Sequence, residues 1–196
     1  MSTVSFGPGT ALIAVDCQND FAEPTGTLYV TGGEAVVEAV SGAVHRALEA
    51  GSAVFYTQDW HPQDTPHFAK DGGIWPVHCV GGTRGAEFHA DLIVNGPVIR
   101  KGTHGEDGYS GFTMRDPVSG QSTSTELEAI LRHGHVERVV VCGLATDYCV
   151  KATALDAHRL GFATTVLTDA IAAVNLQPAD GEAAMAELRE AGVSLV

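Results

Sequence analysis

Short apolar runs alternate with stretches of helical apolar spacing along this 196-residue chain, and few folds accommodate that alternation. Ala11–Val15 reads as a buried strand ending at Asp16. Glu34–Ala50 carries Val36, Val40, Val44 and Leu48 at helical spacing, with Ala43 and Ala47 between them and Gly51 placed to close the helix. Ala53–Thr57 is a second strand and Val98–Arg100 a short third. Thr123–His133 reads as a helix whose start carries a possible capping box of Thr123 and Glu126. Arg138–Cys142 contains an apolar run typical of a parallel strand buried on both faces. A helix follows from about Thr146 to Leu160, with Gly161 after it; then come a strand at Ala163–Leu167, a helix at Pro178–Ala191 and a last strand at Val193–Val196. Strands alternating with helices predict an α/β fold, a three-layer α/β/α sandwich on a mostly parallel central sheet, as one domain over residues 1–196. Residues 102–120 read as Gly-rich loop. The irregular stretch 58–96 is long for a connection, and connections of that length are usually functional.

Composition narrows the function. Hydrophobic residues make up 44% and charged residues 18%, a globular balance, and the formal net charge is -13. With no basic run to meet phosphates, nucleic acid is excluded as a partner, and a small neutral or cationic substrate suits the field. No apolar stretch approaches the roughly 20 residues that span a bilayer, so no membrane role is expected. The N-terminus lacks the basic and apolar regions of a signal peptide, and the four cysteines form no CxxC pair, which together predict free thiols and a cytoplasmic protein. A homo-oligomer remains open, dimers being the commonest assembly.

Ligands of open parallel sheets bind outside the carboxyl ends of the strands, and polar residues gather there in this chain. Asp16 follows the first strand, Asp59 and His61 the second, Lys101 the third, and Cys149 lies just beyond the turn Gly143-Leu144-Ala145. With Thr146 capping the helix, Cys149 falls in its first turn, where the dipole and free N–H groups lower a thiol pKa and can form an oxyanion hole. The same position also suits a small buried core residue. Asp16 reads as a general base or as a loop cap, and Lys101 as a thiolate partner or a solvated strand end. Cys142 reads as inert core. Asp59, His61, His67 and His78 put one carboxylate and three imidazoles in one segment, a donor set for a transition metal, although some of the nine histidines cluster by chance. His45, His89, His104, His133, His135 and His158 read as surface or packing residues.

Six segments together resemble the nicotinamidase branch of the isochorismatase-like cysteine hydrolases. They are Val15-Asp16-Cys17-Gln18-Asn19-Asp20-Phe21, Asp59-Trp60-His61-Pro62 with His67, Trp75-Pro76-Val77-His78-Cys79, Arg100-Lys101-Gly102, Tyr109-Ser110-Gly111-Phe112 and Gly143-Leu144-Ala145-Thr146-Asp147-Tyr148-Cys149-Val150. The resemblance runs from about Leu12 to Leu195. It implies a triad of Asp16, Lys101 and Cys149, a cis Leu144–Ala145 peptide, and an oxyanion hole from the N–H groups of Ala145 and Cys149. It also implies one divalent metal ion on Asp59, His61, His67 and His78, with zinc ahead of manganese and iron, and aromatic walls from Phe21, Trp75 and Tyr109. The implied reaction is hydrolysis of nicotinamide to nicotinic acid and ammonia through a Cys149 thioester, in NAD salvage, with pyrazinamide a second substrate. Trp75 equally suits a core position. Related amidohydrolases of carbamoyl or ureido compounds usually lack such a His-rich loop, and isochorismatase chemistry does not need the cysteine. A non-catalytic metal-binding redox sensor using Cys149 is the reading from a different class.

Overall fold

The computed structural model describes residues 4–196. Its centre is a six-stranded sheet in the order β3-β2-β1-β6-β7-β8, every neighbouring pair parallel. The strands are β1 (Thr10–Val15), β2 (Ala53–Asp59), β3 (Val98–Lys101), β6 (Arg138–Leu144), β7 (Ala163–Ala172) and β8 (Ser194–Leu195). β1 is buried at all six positions because helices cover both faces of the sheet, which is why its sequence is an unbroken apolar run.

Side-chain alternation sorts that run into two cores. Leu12 and Ala14 face α2 (Gly33–Glu49) together with Val54, Tyr56 and Val140; Val36, Val37, Val40 and Val44 of the helix pack against them. Ala11, Ile13 and Val15 face the opposite way, with Phe55, Val139 and Val141. That second core is closed by Leu127 and Leu131 of α3 (Leu127–His133), Ala154 and Leu155 of α4 (Lys151–Arg159) and Leu188 of α5 (Asp180–Ala191). The layers are thus helix, sheet, helix, as the sequence predicts. The remaining helix, α1 (Asn19–Ala22), is one turn after β1.

Three expectations are corrected. The stretch 102–120 is not all loop: β4 (Thr113–Arg115) pairs antiparallel with β5 (Ser122–Ser124) in a small separate hairpin. Thr123 therefore lies in a strand, and no capping box forms with Glu126. The helix starts at Leu127, whose N–H donates to Thr125 Oγ1 at 3.2 Å. Serine and threonine on an exposed hairpin show no apolar alternation, so strand pairing there leaves no periodic signal. The π-helical turn Thr146–Val150 precedes α4, and its cap residue is Ala145, with no side-chain cap from Thr146.

The sheet's topological switch lies between β1 and β6, whose chains leave the sheet in opposite directions. At this point Gly143 has φ +115°, and a Cβ there would meet the Val15 carbonyl oxygen at 2.1 Å. Gly161 also has positive φ, but its space is open. Gly161→Ala should therefore cost about 1 kcal/mol, the ordinary penalty for a left-handed position. Gly143→Ala should cost clearly more in urea unfolding, because the two strands must separate. Equal losses would show that this close approach is not a constraint.

Candidate active site

The strand order brings the predicted residues together. Asp16, Asp59 and Lys101 stand at the carboxyl ends of three adjacent strands, and Cys149 lies in the turn after β6, across the switch point. The Lys101 ammonium is fully buried and donates to Asp16 Oδ2 at 2.8 Å, to Asp59 Oδ1 at 2.6 Å and to the Gly108 carbonyl. Cys149 Sγ is 3.6 Å from it. The thiol also lies within 4.8 Å of an Asp16 and an Asp59 carboxylate oxygen. Asp16 has φ +46°, a conformation rare for a non-glycine residue, and Thr57 Oγ1 donates to its second oxygen at 2.6 Å.

Burial sets the protonation states. It pushes the Asp16 carboxyl up to about 6, with Lys101 opposing and Asp59 adding to the rise. Burial also pushes the Cys149 thiol well above its ordinary value, against the pull of Lys101. This runs against the expectation of a thiol acidified by a helix start: the sulfur is buried in a π-helical turn, and desolvation together with Asp16 and Asp59 outweighs the pull of Lys101. For Lys101, burial works against the charged form, but Asp16 and Asp59 outweigh it and hold the ammonium. The resting state at neutral pH is therefore a thiol beside a carboxylate and an ammonium. The Leu144–Ala145 peptide is cis, and among the described residues the Ala145 N–H takes no backbone acceptor.

Asp59 has a second side. Its Oδ2 is 3.6 Å from His61 Nε2 and 3.8 Å from His78 Nε2. His61, His67 and His78 each bring a ring nitrogen within 4.8 Å of the others, all three rings buried. Such a group can hold a metal ion, and the proton positions fit. His78 Nδ1 donates to the Pro76 carbonyl at 2.8 Å, leaving Nε2 toward the cluster, and both nitrogens of buried His61 lack a partner. Burial lowers His78 to about 4, so it is neutral and ready to ligate. For Asp59, burial works to raise the carboxyl, but Lys101, with a smaller contribution from His61, outweighs it and holds it ionised. One buried imidazole without partners, grouped with two others beside an ionised carboxylate, suits a divalent cation.

The segment after β1 braces this arrangement. Gln18 Nε2 donates to the carbonyls of Asp59 (2.7 Å) and Ala86 (2.9 Å), while its Oε1 accepts the Asp59 N–H at 2.8 Å. Asp20 Oδ2 accepts the Cys79 N–H at 2.7 Å, fixing the residue next to His78. A narrow, mostly apolar pocket, with a cavity volume of about 30 Å³, opens at the thiol. Phe21, Trp75 and Tyr109 line it together with Cys149, His67 and His78. Trp75 is buried as well as pocket-lining, and its Nε1 donates to the Tyr109 hydroxyl at 2.8 Å.

This geometry has known counterparts. Residues 10–196 match the model of the isochorismatase domain. The chain belongs to the isochorismatase family. It is 42% identical over 191 residues to a nicotinamidase/pyrazinamidase of Mycobacterium tuberculosis, covering 95% of this chain and 97% of the relative. The pyrazinamidase of Pyrococcus horikoshii in complex with zinc superposes with a TM-score of 0.86 at 40% identity, over 96% of this chain and 99% of that one. PnC1 from L. infantum in complex with nicotinate gives 0.88 at 40% identity, over 98% and 95%. Among the described residues, no helix is long and apolar enough to cross a membrane.

Within this family framework, several residues of the site escaped the sequence reading. Tyr148, Leu28 and Val174 also line the pocket. Tyr148 meets the Trp75 ring edge-on at 4.7 Å, and Asp147 holds the Val174 and Asn175 N–H groups at 2.9 and 2.8 Å. Asp107, in the loop after Lys101, bonds His67. Gly108 acts through its carbonyl, and a Cβ on it would meet Lys101 Cβ at 2.7 Å. Tyr148 sits one residue from the predicted nucleophile, which is a usable signal; Asp107 and Gly108 carry none.

Lys101→Met should cost about 3–5 kcal/mol of stability, because it leaves two buried carboxylates facing each other without their cation. Denaturant unfolding at neutral pH measures it. A loss under about 1 kcal/mol would mean the ammonium is not what holds the carboxylates together.

Proposed function

We propose that this chain is a metal-dependent nicotinamidase, a single-domain amidohydrolase that converts nicotinamide to nicotinate and ammonia. One observation carries the reading: the Cys149 thiol, flanked by Asp16 and Lys101, forms the floor of an aromatic pocket whose far wall is a cluster of imidazoles. The 42% identity to a nicotinamidase/pyrazinamidase and the nicotinate held by the L. infantum structure support the same reaction, with pyrazinamide as a second substrate.

In this reading Asp16 takes the Cys149 proton as the sulfur attacks the carboxamide carbon. Lys101 keeps its charge throughout and stabilises the carboxylate–thiol pair before transfer and the thiolate after it. The carbonyl electrons move to oxygen, where the N–H groups of Ala145 and Cys149 receive the oxyanion. Collapse breaks the C–N bond, Asp16 returns its proton to the departing nitrogen, and ammonia leaves a Cys149 thioester. Asp16 then takes a proton from water, whose hydroxyl adds to the thioester carbon. Release of the acid returns the proton to the sulfur. A thiol that stays protonated at rest needs such an adjacent base, and a carboxyl raised to about 6 is matched to the task.

Asp59, His61, His67 and His78 would hold one divalent ion, which supplies a Lewis-acid anchor for the pyridine nitrogen, directly or through bound water. Zinc suits imidazole donors and is the ion in the P. horikoshii pyrazinamidase; manganese and iron are compatible. Phe21, Trp75 and Tyr109 would sandwich the ring and set the amide against the sulfur. Four free, buried cysteines suit a reducing cytoplasm.

Ammonia release from nicotinamide by the purified protein tests the proposal. Cys149→Ala should abolish it while metal content and unfolding midpoint stay unchanged; appreciable turnover by that variant would remove Cys149 from its role. Chelation should stop release, and one added metal should restore it. Protonation of Asp16 below about pH 6 removes the base, so kcat/KM should fall along an acid limb near that value. An activity flat down to pH 4 would rule out Asp16 as the base. Absence of release under every metal, with the thiol reduced, would overturn the reading as a whole.

A further inference from the structure

The three imidazoles of the cluster are held in three different ways. His61 has no partner on either nitrogen, and His78 is tied to a carbonyl two residues away. His67 alone is tied to a charged side chain, from a distant segment: its Nδ1 donates to Asp107 Oδ1 at 2.7 Å. The contact is largely dry, with the His67 side chain 4% and the Asp107 side chain 15% exposed.

The backbone holds Asp107 in place. Its N–H donates to the Arg115 carbonyl at 2.7 Å and its carbonyl accepts the Arg115 N–H at 3.1 Å, so it bridges to the first strand of the β4–β5 hairpin. Its second carboxylate oxygen is 3.6 Å from the Arg115 guanidinium. The two segments meet again at Thr65, whose hydroxyl donates to the Gly105 carbonyl at 2.9 Å and accepts the His67 N–H at 3.2 Å. A third link is the Trp75–Tyr109 bond. A carboxylate acceptor keeps the imidazole proton on Nδ1, which leaves the Nε2 lone pair for the cluster and stops the ring from rotating.

We propose that Asp107 is a positioning residue for metal binding, fixing the ring and tautomer of His67 and tying the metal segment to the loop that carries Tyr109. The inference rests on the metal reading of the cluster and adds to it a carboxylate–imidazole pair supplied by the loop after Lys101.

Metal-free protein titrated with zinc against a chromophoric chelator tests this, with the visible spectrum of the cobalt-loaded protein as a second readout. Asp107→Ala should bind zinc about 10- to 100-fold more weakly and change the cobalt bands, with the unfolding midpoint of the metal-free protein unaltered. Asp107→Asn, whose amide oxygen can still accept from Nδ1, should fall between Ala and wild type. Arg115→Ala should stay close to wild type, since the backbone bridge to Asp107 survives it. If Asp107→Ala does not fold, Asp107→Asn carries the test. Wild-type zinc affinity and cobalt bands in the variant that folds would overturn the role of Asp107 while leaving the metal site standing. Failure of the wild-type protein to bind any divalent ion would overturn both.

Discussion

The Lys101 ammonium lies without solvent between two carboxylates from neighbouring strands, and the geometry of the site follows from that pairing. Removing three charges from water is expensive, and their mutual attraction offsets the expense only when the partners are close and their remaining valences filled. Asp16 and Asp59 meet the first condition. Thr57, donating to Asp16, and the Gly108 carbonyl, accepting from Lys101, meet the second. Each of these comes from a different point along the chain, so the ion cluster forms only when the sheet order β3-β2-β1-β6 is in place. Fold and site are one constraint here: the strands that place Asp16, Asp59 and Lys101 side by side are the ones whose burial makes their charges strong.

The same dryness explains why a cysteine that is not an acidic thiol can serve as a nucleophile. A thiolate resting in this cluster would add a third negative charge beside one ammonium, and burial together with Asp16 and Asp59 prevents that. Keeping the sulfur neutral until a substrate carbonyl arrives protects it from oxidation, which depends on thiolate character and access. The base must then be poised rather than the nucleophile. Asp16 is the group that the environment raises toward neutrality, while Asp59, on the same lysine, is held far down. Two carboxylates on one cation are thereby separated into a proton acceptor and a permanent anion facing the imidazoles.

What the sequence made legible follows a physical line. Strands buried on both faces announce themselves, so β1 and the apolar part of β6 were read almost to the residue. Side chains that can do only a few things also show: Asp59, His61, His67 and His78 stand close in sequence and meet in space. Interactions through the backbone or across a loop did not show. The Gly108 carbonyl on Lys101 and the Asp107 carboxylate on His67 depend on how the loop after β3 folds back, and nothing in a glycine or a loop aspartate encodes that. The polar strand at Ser122–Ser124 was hidden for the opposite reason, since a hairpin outside the core has no apolar face to reveal it. The raised thiol is also illegible, because a position at a helix start carries no record of how deeply the sulfur is buried.

Asp59 joins the two halves of the site through separate oxygens, one on Lys101 and one toward His61 and His78. A cation on the imidazole side would draw charge from the oxygen that Lys101 shares, loosening its hold on the ammonium. Lys101 would then bear more fully on Asp16 and on the sulfur 3.6 Å away, the partners that change charge in the proposed reaction. A divalent ion held by the imidazoles would not be remote from the sulfur in electrostatic terms: only Asp59 and Lys101 separate that cluster from Cys149, in a medium dry enough for charge–charge interactions of that range to matter. In the proposed reading, an ion held there would therefore also act on the pair that attacks the amide, because both effects pass through residues placed by adjacent strand ends.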